Sequence, residues 1–331
     1  MKKILIISPN YQEDRCYEWI EAANSTSPHK NILIFDYISP ENPISENVTL
    51  YDCLEIKEML CHIDLTDYEG IILIHGTEYI PFTSAALSLL LTHVKIPLVV
   101  ISQNALLTQK ANYHMECFNG AVCFILANPV PGVFNVIKNE WANTLDVHFG
   151  SRISQTTPFD FQYIDMYSGR YGEIVEYTFH FRHGSVNPTA KDLLSMPRPV
   201  SPMKKSANVT YIRAYRRMPY HYYNFSTSRP AAVFQELYDL PSILEHEGLN
   251  ALASFAGHCR RCHVPLYLCP LVYEDVDYEN VLEPVLKHGA VLIQNLTVFS
   301  AYAKLVYGYG DGHFQKYLDT NYVFEDLSEI K

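Results

Sequence analysis

The apolar run Gly70–Ile74 leads into His75-Gly76-Thr77-Glu78, which sets a hydroxyl beside a carboxylate in a polar turn. At the carboxyl end of a strand in an open α/β sheet, where ligands of such sheets collect, that pairing orients a small polar substrate. The same residues equally suit a plain turn. Gly76 would then supply backbone freedom, and Thr83 or Ser84 would cap the helix that follows. Periodicity leaves both readings open.

Other constellations carry less. Cys259-Arg-Arg-Cys262, flanked by His258 and His263, is half of a zinc knuckle pair. Structural zinc takes ligands from two such knuckles and no second one follows, so the segment reads as the end of an amphipathic helix, and no metal is expected. A thioredoxin-like role is excluded by position, because the pair does not open a helix after a strand. Tyr211–Phe225 mixes Arg213, Arg216, Arg217 and His221 with Tyr211, Tyr215, Tyr220, Tyr222, Tyr223 and Phe225. Such a mixture suits single-stranded nucleic acid, or else an aromatic loop at an interface. His180 and His183 would face opposite sides of a strand and do not chelate one ion. No glycine-rich phosphate loop and no G-x-S-x-G elbow occurs, so nucleotide cofactors have no signature and none is expected.

Positioning such residues calls for a layered α/β scaffold, and the chain reads as one. Ile4–Ile7, Asn31–Phe35, Gly70–Ile74, Leu98–Ile101 and Cys123–Leu126 are short apolar runs suited to strands buried on both faces. Tyr51–His62, Ser84–His93 and Asn112–Asn119 are helix-like and alternate with them. From Phe134 to Phe181 the pattern turns strand-like and aromatic, which predicts added β structure. Residues 185–207, with Pro188, Pro197, Pro199 and Pro202, have linker composition. Beyond them Val209–Ile212, Ala231–Phe234, Pro265–Leu268 and Ala290–Ile293 predict strands, with helices at Leu249–Cys262 and Val298–Tyr307. The expected organisation is an α/β domain over 1–184, a linker over 185–207 and a smaller α/β domain over 208–331.

The chain has 331 residues, 48% of them hydrophobic and 18% charged, with a formal charge of −11. That length suits about two domains. The acidic balance argues against nucleic acid as a partner and favours the interface reading of Tyr211–Phe225. No apolar run approaches the ~20 residues a bilayer span needs. Met1-Lys2-Lys3 before Ile4–Ile7 resembles a signal peptide, but Pro9, Asn10 and Gln12 cut the run short and no small-residue cleavage site follows, so a first buried strand is expected. Eight scattered cysteines fit free thiols in a reducing compartment. A cytoplasmic protein without a membrane partner is expected.

The stretch Asp67–Leu91 resembles the bacterial L-asparaginase/glutaminase family, closest to its cytoplasmic type I enzymes, whose pattern reads D-Y-D-G-F-V-x-x-H-G-T-D-T-M-x-Y-T-A-S-A-L-S-F-M-L. The family's K-P-V-V-x-T-G-S-Q-x-P-L is similar to Ile96–Leu106, its G-N-R-x-x-K to Gly150–Gln155, and its M-T-V-E-A-x-x-T-K-L to Leu296–Leu305. The resemblance implies a larger N-terminal and a smaller C-terminal α/β domain. It also implies homo-oligomers, dimers or tetramers, with sites between paired subunits. The chemistry it implies is amide hydrolysis by a threonine nucleophile, which needs a base and an oxyanion site. Carried over by position, Thr77 matches the second of the family's two threonines and Glu78 its neighbouring aspartate. Gly76, Ser102 and Gln103 fall at substrate-binding positions.

Elsewhere the sequence departs from the pattern. Where T-G-G-T-I is expected after the first strand stands Ser8-Pro9-Asn10-Tyr11-Gln12. The relay lysine falls on Gln155, which cannot accept and return a proton as an amine does. The glutamate donated by a neighbouring subunit falls on Phe299. S-Y-G-x-G-N falls on Leu237–Ser242, and Ser45 and Glu46 lie near the family's D-S-S-D. Two readings follow. In one, the chain is a pseudoenzyme, a binding or scaffold subunit for an amino-acid-like ligand or a partner protein, with Tyr211–Phe225 supplying anchors. In the other, it is a diverged amidohydrolase acting on an amide or peptide-linked substrate through Thr77, with Tyr11, Glu78 or Cys16 as replacement chemistry.

Overall fold

In the computed structural model, residues 1–8, 13–40, 49–76, 79–102, 113–139, 142–157, 160–165, 169–183, 186–213, 218–237, 246–269 and 278–328 are described. They divide into two units, Met1–Pro202 with Tyr322–Phe324, and Met203–Asn321 with Glu325–Lys331.

In the first unit, four of the apolar runs fall in β1 (Lys2–Ile7), β2 (Leu33–Ile38), β3 (Tyr68–His75) and β4 (Pro97–Ser102), and β5 (Gly132–Asn139) completes the parallel core. Ile4, Leu5, Ile6 and Ile7 are all buried, as a strand covered on both faces requires. Antiparallel strands β6 (Thr144–Phe149), β9 (Gly172–Val175) and β10 (Thr178–Phe181) extend the sheet, giving the order β10-β9-β6-β5-β4-β3-β1-β2. The hairpin of β7 (Ile153–Thr157) and β8 (Asp160–Asp165) forms a separate two-stranded sheet. The β structure expected over 134–181 is thus present.

Helices α1 (Glu13–Thr26) and α4 (Tyr113–Ala127) cover one face, where Ile20, Ala23, Phe118 and Ile125 share a core with Ile4, Ile6, Ile72 and Val99. Helices α2 (Leu50–Cys61) and α3 (Ile80–Leu90) pack together, and Ser84 of α3 accepts a hydrogen bond from Asn135 Nδ2 on the opposite face of β5 from Val136, which lies in the first core. Thr49 and Asp52 start α2 with a reciprocal cap, the Thr49 N–H donating to Asp52 Oδ2 at 2.6 Å.

The faces fix the hand of each crossover. From β1 to β2 the chain steps toward one edge with α1 on the first face. From β2 to β3 and from β3 to β4 it steps the other way on the second face, and reversing both direction and face preserves the hand. From β4 to β5 it steps as α3 does, yet α4 lies on the face of α1. That crossover therefore has the opposite hand to the other three. Because parallel crossovers are right-handed in about 98% of cases, α4 makes the left-handed exception.

The structure corrects the sequence reading at two elements. Cys123–Leu126, expected as a strand, is the last part of α4. A four-residue apolar run suits a strand or a buried helix equally, and this helix lies on the sheet, where its Phe124 packs into an aromatic cluster with Phe134, Tyr171 and Phe179. Within the segment read as a linker, Ala190–Ser195 forms helix α5, capped by Thr189, and its Leu193 joins the first unit's core.

The second unit holds a parallel sheet in the order β11 (Val209–Arg213), β12 (Ala232–Glu236), β13 (Leu266–Cys269), β14 (Val291–Leu292). Its helices are α6 (His246–Arg261), α7 (Tyr278–Val281), α8 (Glu283–Leu286), α9 (Val298–Asp311) and α10 (Phe314–Asp319). Part of the aromatic loop turns inward: Tyr220 stacks on Phe255 of α6 with centroids 4.7 Å apart and receives a hydrogen bond from Gln235, while Tyr223 and Phe225 pack beside it. Phe225 is therefore a core residue, Tyr220 and Tyr223 are half-buried against that core, and Tyr222 stays exposed.

Candidate active site

The parallel strand order β2-β1-β3-β4-β5 reverses direction between β1 and β3, and ligands of open sheets sit outside the carboxyl ends of strands at that switch point. Ile7 pairs with Leu73, and His75 with Ser102. Ser8, Gly76 and Ser102 thus follow one another along the carboxyl edge of β1, β3 and β4. The Ser8 N–H donates to Ile38 O at 3.1 Å, and its carbonyl accepts from Ser39 Oγ at 2.9 Å, which fixes the chain as it leaves β1. Tyr11, Gln12, Thr77, Glu78 and Gln103 lie outside the described residues, as do Ser45, Glu46 and Tyr238–Ser242.

His75, at the last position of β3, is buried and makes two hydrogen bonds. A carbonyl only accepts, so Nδ1–H donates to Gly76 O at 2.6 Å. In a neutral ring Nε2 must then accept, here from the Thr83 hydroxyl at 2.9 Å. Burial pulls its pKa down to about 4, so the ring is neutral at physiological pH. Thr83 is consequently not the cap expected from its position. Helix α3 starts earlier, with Tyr79 at its N-cap in left-handed backbone (φ 62°) and Pro81 in the first turn, and the Ser84 hydroxyl is taken up by Asn135. Composition gave no sign of the His75–Thr83 bond; the only cue was a histidine closing an otherwise apolar strand.

Ser102 is buried, and its hydroxyl has no hydrogen-bond partner among the described residues. Gln155 lies on β7, paired with Tyr163. Ile153 and Tyr163 of this hairpin pack on Ile80 and Ile137, which seats β7 against the first turn of α3. The preceding Ser151 and Arg152 bind the chain's own C-terminal segment: Ser151 Oγ donates to Val323 O, and Arg152 Nε to Phe324 O at 2.7 Å. Phe299 is half-buried in the first turn of α9 in the second unit, beyond the N-cap Thr297.

The strands thus bring Gly76 and Ser102 together with the end of β1, and the hairpin brings the strand of Gln155 to α3. Among the described residues, no group of three or more His, Cys, Asp or Glu is arranged to hold a metal ion. Cys259 and Cys262 lie at the end of α6, with Cys259 buried. No described helix is long and apolar enough to cross a membrane.

A family model described as "Asparaginase, N-terminal" matches residues 10–186. No curated protein sequence matches the chain. Among solved structures, the thermostable L-asparaginase from Thermococcus kodakarensis superposes with a TM-score of 0.74 at 15% identity, over 98% of this chain and 99% of that one. A probable cytoplasmic L-asparaginase from Campylobacter jejuni gives 0.70 at 14% identity over 97% and 100%. L-asparaginase I from Vibrio cholerae O1 biovar eltor str. N16961 gives 0.69 at 15% over 98% and 99%. At these identities the likeness is one of fold, and the α/β architecture is asparaginase-like.

Proposed function

Since this chain belongs to the asparaginase family, we propose that it keeps the family's fold as a ligand-binding or scaffold subunit and lacks ordinary L-asparaginase activity. The observation that carries this reading is the end of β1. At the switch point, where the resemblance calls for a threonine in a glycine loop, the chain leaves Ser8 into Pro9-Asn10-Tyr11-Gln12. Beyond Ser8 the stretch offers a phenol and amides, and no threonine stands in a glycine loop to act as the nucleophile. Gln155 in place of the relay lysine and Phe299 in place of the glutamate point the same way, because groups that act as a unit fail together. The ligand class is an amino-acid-like molecule or a partner protein. The setting is cytoplasmic and the assembly a homo-oligomer, both resting on the resemblance.

The second reading, an amidohydrolase acting through Thr77, is favoured by the motif His75-Gly76-Thr77-Glu78, whose first residue closes β3 beside the switch point. One assay separates the two: ammonia release from L-asparagine and L-glutamine at high protein concentration, with Thr77→Ala as control. The pseudoenzyme reading expects equal, background rates for both proteins. A rate that disappears in Thr77→Ala refutes it and establishes the diverged enzyme.

A further inference from the structure

Away from the sheet edge, the described residues hold a pairing of nucleophile and base at the ends of α2 and α3. Cys61 is the last residue of α2, and its Sγ lies 3.6 Å from Nε2 of His93, in the turn after α3. That separation suits a hydrogen bond between thiol and imidazole. The Nδ1 atom of the same ring is buried and meets no partner among the described residues, so the ring exchanges protons through the nitrogen that faces Cys61.

Among the described cysteine side chains, exposure separates this thiol from the others. Cys61 is exposed, whereas Cys53, Cys117, Cys123, Cys259 and Cys269 are buried and Cys262 is half-buried. Burial pushes the Cys123 thiol up to about 11 and those of Cys117 and Cys259 to about 12, and it raises Cys53 and Cys269 as well. A thiol held in that form is neither ionised nor reachable. The pKa of His93 itself is held down by burial and by the charge of Lys57, which favours the neutral ring, and in the tautomer with its proton on Nδ1 the Nε2 atom accepts from Cys61.

We propose that Cys61 is a modification site, a thiol that exchanges with low-molecular-weight disulfides while His93 handles its proton. Cys61 Sγ attacks one sulfur of the disulfide, a new S–S bond forms and the old one breaks. The departing thiolate receives the proton that Cys61 gave to His93 Nε2. One thiol and one disulfide become a mixed disulfide and one thiol, and no outside oxidant is needed. The site is independent of the proposed role of the sheet edge.

Treatment of the reduced full-length protein with glutathione disulfide, with the modified residue mapped by peptide mass spectrometry, tests this. The first adduct is expected on Cys61 and absent in Cys61→Ser. In His93→Gln, adduct formation should slow roughly tenfold while the melting temperature is unchanged. A first adduct on Cys16 or Cys262, or a His93→Gln rate equal to wild type, overturns the proposal. Should His93→Gln fail to fold, the pH profile of the wild type decides. A solvent-ionised thiol gains about tenfold in rate per pH unit below its pKa. Exchange through His93 gives a shallower rise across neutral pH, and the steep profile overturns the proposal.

Discussion

At the scale of single residues, His75 shows how burial and two neighbours fix one state of an ionisable group. Its Nδ1–H is committed to a carbonyl and its Nε2 to a hydroxyl, so protonation would cost the bond from Thr83 as well as desolvation. The ring titrates near 4 when folded against 6.5 when exposed. Between those values the unfolded chain binds more protons. The contribution of His75 to stability is therefore complete above about pH 6.5 and declines as the pH falls toward 4, at up to about 1.4 kcal/mol per unit. NMR of ring-labelled histidine should find one imidazole that stays neutral, with the proton on Nδ1, from pH 8 down to pH ~5. A ring at this position that titrates near pH 6.5, or carries its proton on Nε2, contradicts the assignment. The two bonds of His75 fix the end of β3 at the point where the chain passes on to Gly76.

Among the elements, the left-handed crossover makes α4 the helix whose packing the sequence least prepares for. Gly70 lies in β3 directly beneath it: a Cβ there would stand 2.7 Å from Ile125 Cγ2 and 2.9 Å from Cγ1. Ile125 is fully buried and stiff about its first side-chain torsion, so it has nowhere to turn. Gly70→Ala is expected to destabilise the protein by about 1–3 kcal/mol in urea unfolding. Ile125→Ala in the same chain should recover part of that loss, since the two side chains compete for one space. Additive losses in the double variant would mean that the helix does not bear on Gly70. Strands β1 to β4 of the parallel core, α2 and α9 were legible from apolar runs, helix periodicity and caps, whereas β5 was covered only by the general expectation of β structure from Phe134 onward. Cys123–Leu126 was not legible, because helix and strand bury such a run alike and the difference lies in packing against residues outside it, among them Phe134, Tyr171 and Phe179. The switch point was only half legible. The motif put His75-Gly76 at a strand end, whereas adjacency to β1 and β4 follows from pairings between Ile7 and Leu73 and between His75 and Ser102 that no local pattern encodes.

For the molecule as a whole, the last described residues are divided between the units. The first holds Val323 and Phe324 through Ser151 and Arg152, and the second holds Glu325. Nothing local in Val323-Phe324-Glu325 announces this, since the partners lie far upstream, and a reading by composition assigned the whole tail to the second domain. In the second unit, Lys304 Nζ meets Glu325 Oε1 at 2.6 Å with both side chains fully buried, and it also donates to Thr320 O at 2.9 Å. Desolvation takes back much of what such a pair gains, whereas removing one member strands the other charge in the interior. Glu325→Gln should therefore cost the second unit about 3–5 kcal/mol, while Lys304→Met with Glu325→Leu, which leaves no buried charge, should recover most of it. The residues of the second unit include no tryptophan, so tryptophan fluorescence is the wrong probe. Hydrogen exchange read on peptides spanning α9 reports the second unit alone. Faster exchange there in Glu325→Gln and near wild-type exchange in the double variant are expected. Equal protection in all three proteins would show that the pair is hydrated and carries no stability.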